Sequence, residues 1–307
     1  MSLGHDVTCI DDLSTGSAEN LSAVRAHPNL ICREDTIFNR PLIARLVNEA
    51  DVVFHLAAAV GVKRIVDYPV QTIETNVQGT EIVLDAAAKN STRVFLASTS
   101  EVYGKSTKIP FSETDDLVLG STYNSRWAYA CSKAIDEFLA LAYYRERGLP
   151  VTIARFFNTV GPRQTGRYGM VLPTFVRQAL LNQPLTVYGT GSQSRCFGHV
   201  SDIVDGLMLL LDCARAPGEI FNLGNTEEVM IEDLAREVIA ACDSTSEIVH
   251  IPYSEAYGPG FEDMFRRVPD ISKAREWLGY EPRHALNAII RSVVEHERSV
   301  LAAREAA

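Results

Sequence analysis

Short runs of β-branched and apolar residues alternate with longer amphipathic segments through the first half of the chain. The runs are HDVTCI from His5, LIC from Leu30, DVVFHLA from Asp51, RVFLAS from Arg93 and PVTIARF from Pro150. Between them lie SAENLSAVRAH, RPLIARLVNEA, VQTIETNVQGTEIVLDAAAKN and SRWAYACSKAIDEFLALAYYRERG, each long enough for a helix. Strands apolar on both faces, joined by helical crossovers, pair parallel and are covered on both sides. The expected fold class is therefore α/β, a Rossmann-like doubly wound parallel sheet.

After Phe157 the alternation loosens. GPRQTGRYGM (161–170) reads as a loop, MVLPTFVRQALLN as a helix, LTVY as a strand and EIFNLG as a returning sheet strand. In SDIVDGLMLLLDC, Val204, Leu207, Met208 and Leu211 share one helix face. The expected organisation is a dinucleotide-binding domain at 1–158, to which 196–226 return, and a smaller, mostly helical substrate lobe at 159–195 and 227–307.

A hydrophobic content of 46% over 307 residues supports a sizeable core. The formal charge of -10 argues against a nucleic-acid partner, which usually demands a basic face, although local arginines can hold a small anion. Six cysteines without Cys-x-x-Cys spacing suggest neither a metal site nor a disulfide framework. The apolar stretch VVFHLAAAVGV is too short to span a bilayer, and no signal-type segment opens the chain. These features predict a cytoplasmic protein with no membrane partner.

Two stretches carry chemistry. Tyr129 and Lys133 in WAYACSKAIDEF are four apart in a helical pattern, so both emerge on one face. A nearby ammonium would favour the phenolate and make the phenol a usable base. ASTSEVYG follows the strand RVFLAS, setting Ser98, Thr99, Ser100 and Glu101 at a carboxyl-terminal strand edge, where open α/β sheets bind ligands.

With DDLSTG, HLAA, NVQGT, STSEVYG, YACSK, RFFNTVGPR, LTVYGTGSQSR, HVSDIVDG and FNLGN in this order, the chain resembles the extended short-chain dehydrogenase/reductases that act on nucleotide sugars. The resemblance implies NAD as cofactor and a UDP-sugar as substrate. It makes Tyr129 the general base, Lys133 its electrostatic partner, Thr99 the third member of the triad, and Ser100 and Glu101 further catalytic candidates. It implies cofactor contacts from Asp11, Asp12, Ser14, Thr15, Gly16, Asp35, Thr36, Leu56, Ala57, Ala58, Asn76 and Phe156, with the Asp11 carboxylate favouring NAD over NADP. Substrate contacts are implied for Asn158, Leu172, Val187, Tyr188, Gln193 and Arg195. A second arginine is expected from FRRVPD, Arg266 or Arg267, with Arg267 preferred.

The family's first strand, glycine-rich turn and following helix are not found before Gly4. A truncated chain or a misplaced start is the first explanation, with a rearranged active sheet and a cofactor-free relative beside it. Losing two charge-assisted bonds to the pyrophosphate would weaken NAD binding by about a hundredfold to over a thousandfold.

The resemblance implies oxidation at sugar carbon 4 and a 4-keto intermediate. Ser100 and Glu101 replace the Asp-Glu pair typical of dehydratases, which disfavours a 4,6-dehydratase. Thr-Ser-Glu with Arg195 resembles the uronate decarboxylases, whereas YACSKAIDE resembles the epimerases. The expectation is a UDP-sugar 4-epimerase, with UDP-glucuronate decarboxylase next and a non-catalytic sugar-nucleotide-binding scaffold as the alternative of a different class. A homodimer through the tyrosine helix and the long helix before it is also implied, with Ile73, Val77, Phe138 and Leu141 available. His55 and His199 read as structural, and PYSEAYGPGFEDM as a loop that covers the sugar.

Overall fold

The computed structural model describes residues 1, 3–166, 168–258 and 261–305. The loops expected at 161–170 and 252–264 are thus described except at 167 and at 259–260, which lie outside the described residues. In the first half the strands are β1 (Val7–Asp11), β2 (Leu30–Glu34), β3 (Val52–His55), β4 (Arg93–Thr99) and β5 (Val151–Phe156). The helices among them are α1 (Arg40–Glu49), α2 (Val62–Asp67), α3 (Pro69–Ala88) and α4 (Trp127–Arg147). The second half holds β6 (Thr159–Val160), α5 (Val171–Leu180), β7 (Leu185–Tyr188), β8 (Ser194–Cys196), β9 (Gly198–His199), α6 (Val200–Asp212) and β10 (Ile220–Leu223). It ends with β11 (Glu228–Met230), α7 (Ile231–Cys242), β12 (Ile248–Ile251), α8 (Tyr253–Ala256), β13 (Arg266–Arg267), α9 (Ser272–Leu278) and α10 (Leu286–Glu305).

The main sheet runs β10-β5-β4-β3, parallel throughout, and β1 pairs with β2 in a separate parallel ladder. Val94, Phe95 and Leu96 of β4 are all buried because the strand is covered on both faces. On one face, Val94 and Leu96 join Ile43 of α1, Ile82 and Val83 of α3, and Ala140 and Tyr143 of α4. On the other, Phe95 and Phe221 pack with Ile203, Leu207 and Leu210 of α6 and Ala274 of α9. This is the doubly wound arrangement expected.

The 21 residues of α4 form the longest helix among the described residues. It stops at Gly148, whose φ of 67° is the left-handed conformation that terminates a helix at low cost to glycine. The segment 17–27 is not the helix its composition suggests. Only Ala18–Leu21 form a single 3-10 turn, with no buried residue, so there is no packed face to pay for helix ordering.

The second lobe has its own core, in which Phe175 of α5, Leu234 and Val238 of α7, Ile289, Ile290 and Val293 of α10, and Leu185 and Val187 of β7 are buried together. LTVY is the strand expected, as β7, and the second half also carries short strands that hydropathy did not reveal, in the sheets β11-β8-β13, β12-β7 and β6-β9. Strands of two to four residues give too short a run for alternation to register.

Candidate active site

A cavity of about 540 Å³ lies where β4 and β5 run out against the second lobe. Its wall includes Leu56, Ala58, Ser98, Thr99, Ser100, Glu101, Tyr129, Phe156, Asn158 and Leu172. From the second lobe come Tyr188, Gln193, Arg195 and Arg267. Seven catalytic and cofactor candidates and six substrate candidates therefore meet at the carboxyl edge where such sheets bind ligands.

Helical spacing sets Tyr129 and Lys133 on one face of α4, and Thr99, at the end of β4, lines the same cavity as Tyr129, with its hydroxyl acting to lower the phenol pKa. The Thr99 hydroxyl also accepts from the Glu101 backbone N–H at 3.2 Å, which fixes its position at the start of a short helical turn. One expectation fails. The Lys133 ammonium is not spent on the phenol but is fully buried and donates to Asp136 Oδ2 at 2.8 Å, one turn along α4. Burial raises the Tyr129 pKa above the ordinary tyrosine value, Glu101 raises it further, and Asp136 adds to the effect. This setting opposes ionisation of the phenol rather than favouring it.

A network of five charged side chains lies beside this pair. Arg126 Nη1 donates to Glu101 Oε2, and its Nη2 donates to Asp263 Oδ1 at 3.4 Å. Arg195 Nη2 donates to Asp263 Oδ2 at 2.8 Å, and Arg267 Nη1 to Glu101 Oε1 at 3.4 Å. Burial pushes the Glu101 carboxyl up, but Arg126 and Arg267 outweigh it and hold the group below the ordinary glutamate value. Asp263 is likewise held low by Arg195, Arg126 and Arg267 against its burial. Arg267 is pulled down to about 10 by burial and by Arg195, and its Nε has no partner. It is the least compensated cation of the network.

Arg267 is thus the arginine of the FRRVPD pair that faces the cavity, since Arg266 points outward to Glu228 at 2.7 Å. Alternation along β13 separates them. The same rule corrects Val187: Thr186 and Tyr188 line the cavity, so Val187 points to the opposite face and is buried in the second-lobe core. Leu172 lines the cavity from α5, Gln193 is tied by Nε2 to the Tyr188 carbonyl at 2.9 Å, and Asn158 donates to the Cys196 carbonyl at 3.0 Å.

Among the cofactor candidates, Asn76 is buried away from the cavity wall. It accepts from the Ala59 N–H at 2.9 Å and donates to Ser132 Oγ at 2.9 Å, so it moors the Leu56–Ala57–Ala58 loop to α4. Ala57 is exposed and is not on the wall. Asp11, Asp12, Ser14, Thr15 and Gly16 form a loop beyond β1 in which Asp11 accepts from the Leu13 N–H at 2.7 Å and Asp12 from the Ser14 N–H at 2.9 Å. Tyr168 donates to the Ser14 carbonyl at 3.4 Å, linking that loop to the segment along the cavity rim. Asp35 accepts from the Thr36 N–H and from Asn39, away from the cavity.

Sequence reasoning missed Arg126, Asp263 and Asp136. Asp136 lies one turn from Lys133 in the same helix, and Arg126 stands immediately before that helix, but the Arg126 partners Glu101 and Asp263 are brought together only by the fold. His55 is buried against Thr80 at 3.1 Å and its pKa is pushed down to about 3 by burial and Lys133, a neutral structural group. Among the described residues no group of three or more His, Cys, Asp or Glu could hold a metal ion, and no helix is long and apolar enough to cross a membrane.

Residues 1–293 match the family model for GDP-mannose 4,6 dehydratase. The chain is 40% identical over 298 residues to the UDP-N-acetyl-alpha-D-glucosaminuronate decarboxylase of Bacillus cytotoxicus, covering 97% of this chain and 91% of that one. It is 38% identical to the UDP-glucuronic acid decarboxylase 4 of Arabidopsis thaliana, covering 93% of this chain and 61% of that longer protein. Among solved structures, DesIV (dTDP-glucose 4,6-dehydratase) from Streptomyces venezuelae, with NAD and TYD bound, superposes with a TM-score of 0.87 at 30% identity, covering 96% of this chain and 88% of that one. UDP-glucuronic acid 4-epimerase from Bacillus cereus, in complex with UDP-glucuronic acid and NAD, gives 0.87 at 25% identity, covering 97% and 92%. The match along nearly the whole chain, together with the cavity at the sheet edge, leads to one conclusion: the chain belongs to the extended short-chain dehydrogenase/reductase family of nucleotide-sugar epimerases, dehydratases and decarboxylases.

Proposed function

We propose that the chain decarboxylates a UDP-uronate through a 4-keto intermediate, with NAD as hydride carrier. The observation that carries this reading is the buried network of Arg126, Arg195 and Arg267 against only two carboxylates, Glu101 and Asp263, beside Thr99 and Tyr129. One positive charge is in excess, and Arg267 lacks full compensation, so the cavity favours an anionic guest. A UDP-uronate brings two anionic parts, a diphosphate and a sugar carboxylate. The 40% identity to a decarboxylase of such a sugar supports the same choice over the epimerase expected from YACSKAIDE.

The residues present suit NAD. Leu56, Ala58, Phe156 and Tyr129 share the cavity wall, with Lys133 buried one turn beyond Tyr129. At the other end Asp11 is exposed beyond β1, beside Gly16, where its carboxylate can meet a ribose. In this reading residues 1–158 with 196–226 hold NAD and the remainder holds the sugar nucleotide, its base beside the edge-on ring pair Tyr188 and Tyr257.

When bound, NAD supplies the acceptor for the carbon 4 hydride and returns it at the end. Thr99 orients the carbon 4 hydroxyl; Tyr129 first releases its own proton to solvent, which requires Lys133 to leave Asp136 and turn toward the phenol, and the resulting phenolate then takes the hydroxyl proton. The new ketone is β to the carboxylate. The C5–C6 bond breaks, carbon dioxide leaves, and the electron pair passes to the carbon 4 oxygen, where the hydroxyls of Tyr129 and Thr99 donate hydrogen bonds to the enolate. A proton from solvent is then added at carbon 5.

Incubation with NAD and each of UDP-glucuronate, its 2-acetamido analogue and UDP-glucose, followed by mass spectrometry and NMR, tests the reading. Products lighter by one carbon dioxide are expected from the uronates. An isomer of unchanged mass from any of the three is the epimerase result and overturns it.

We further propose that the chain dimerises through α3 and α4. Ile73 and Phe138 on these adjacent helices are exposed, Phe138 by 71%, whereas Val77 is half-buried and Leu141 packs inward against the sheet core. Light scattering should give a dimer mass for the natural chain and a monomer mass for Phe138→Glu, and a monomeric natural chain contradicts it.

A further inference from the structure

Arg126 is the largest fully buried side chain among the described residues, and it is not on the cavity wall. It stands immediately before α4, three residues ahead of Tyr129 and therefore on the same side of the helix. Its two terminal nitrogens reach carboxylates from different parts of the fold: Glu101 after β4 and Asp263 in the segment leading to β13. The neighbouring Trp127 donates Nε1 to Glu262 at 2.9 Å, so residues 126 and 127 together grip the segment 262–263. Three residues further on, that segment enters β13, which carries Arg267.

We propose that Arg126 is a positioning residue that holds Glu101 as a carboxylate facing the sugar and fixes the Arg267 strand relative to the Tyr129 oxygen. This rests on the reading above for the sugar that Glu101 faces, but the contacts themselves do not. A bidentate guanidinium suits the task, because its planar fork serves two carboxylates at once while a lysine ammonium gives one point of charge. The charge has a second effect. A cation beside Glu101 and Tyr129 favours the deprotonated form of both, so its removal moves both titrations to higher pH.

The test compares Arg126→Met and Arg126→Lys by two readouts. The first is carbon-13 NMR of protein labelled at glutamate carboxyl carbons, with Glu101→Gln identifying the signal and no substrate present. Glu101 should titrate below the ordinary glutamate range in the natural chain, move upward in Arg126→Met and return in Arg126→Lys. The second is turnover against pH. In Arg126→Met kcat should fall by about 100-fold and both limbs of the profile should move alkaline, with KM changing far less. In Arg126→Lys the limbs should return while kcat stays down by about tenfold.

A merely structural role would lower kcat without moving either titration. An unmoved Glu101 signal in Arg126→Met, or an unmoved kcat, overturns the proposal. If Arg126→Met does not fold, Arg126→Lys decides, since a natural kcat in that variant also overturns it. If the natural chain releases no carbon dioxide, the reaction proposed above fails by itself, and the Glu101 titration still judges Arg126, with kcat read on whatever carbon 4 chemistry the chain performs.

Discussion

Tyr129→Phe should lower turnover by about 10²- to 10⁴-fold, the usual contribution of a positioned proton-transfer group, while UDP affinity stays close to that of the natural chain. Phenylalanine retains the ring that fills the wall and removes only the phenolic oxygen. Steady-state kinetics and titration calorimetry check the two halves. A loss confined to KM would mean that the phenol binds substrate without moving a proton. A related result concerns pH. Burial and Glu101 hold the phenol above its ordinary value, so the ultraviolet difference between the natural chain and Tyr129→Phe should show no phenolate at pH 9 when no ligand is present. Phenolate absorbance at that pH would contradict the buried, anion-flanked setting described here.

Arg267→Met should separate binding from stability. The guanidinium is buried, faces Arg195 and is only weakly bonded to Glu101, which keeps Arg126 as its stronger partner. Replacing an under-compensated buried cation by an apolar side chain of similar length is close to neutral for folding. Removing a buried charge that pairs with a bound anion costs about 2–5 kcal/mol of affinity, or about 30-fold to several thousandfold in Kd. Calorimetry with a UDP-uronate should show that loss, while the melting temperature falls by no more than about 4 °C, equivalent to about 1 kcal/mol. Unchanged affinity would remove Arg267 from the substrate site.

The parallel sheet was legible because each buried strand is a continuous apolar run and each crossover helix repeats its apolar residues at helical spacing. The Tyr129, Lys133 and Thr99 set was legible for the same local reason: two members are one helical turn apart and the third ends a strand. What could not be read was the charge network. Arg126 meets Glu101 across 25 positions and Asp263 across 137, so no local spacing signals either contact. Asp136 was close at hand, three residues from Lys133, yet sequence alone did not say whether the ammonium would face it or the phenol. Val187 was implied only by the resemblance, and the alternation along β7 turns it to the face opposite Thr186 and Tyr188. The 17–27 segment was misread because its composition suits a helix that has nothing to pack against.

The most direct measurement uses UDP-glucuronate labelled with carbon-13 at carbon 6, incubated with the chain and NAD in deuterium oxide and followed by NMR. The label should leave the sugar as carbon dioxide and bicarbonate, and the product should be a UDP-pentose carrying deuterium at carbon 5. Retention of the label as a sugar carboxylate in a rearranged UDP-hexuronate would contradict decarboxylation at this cavity.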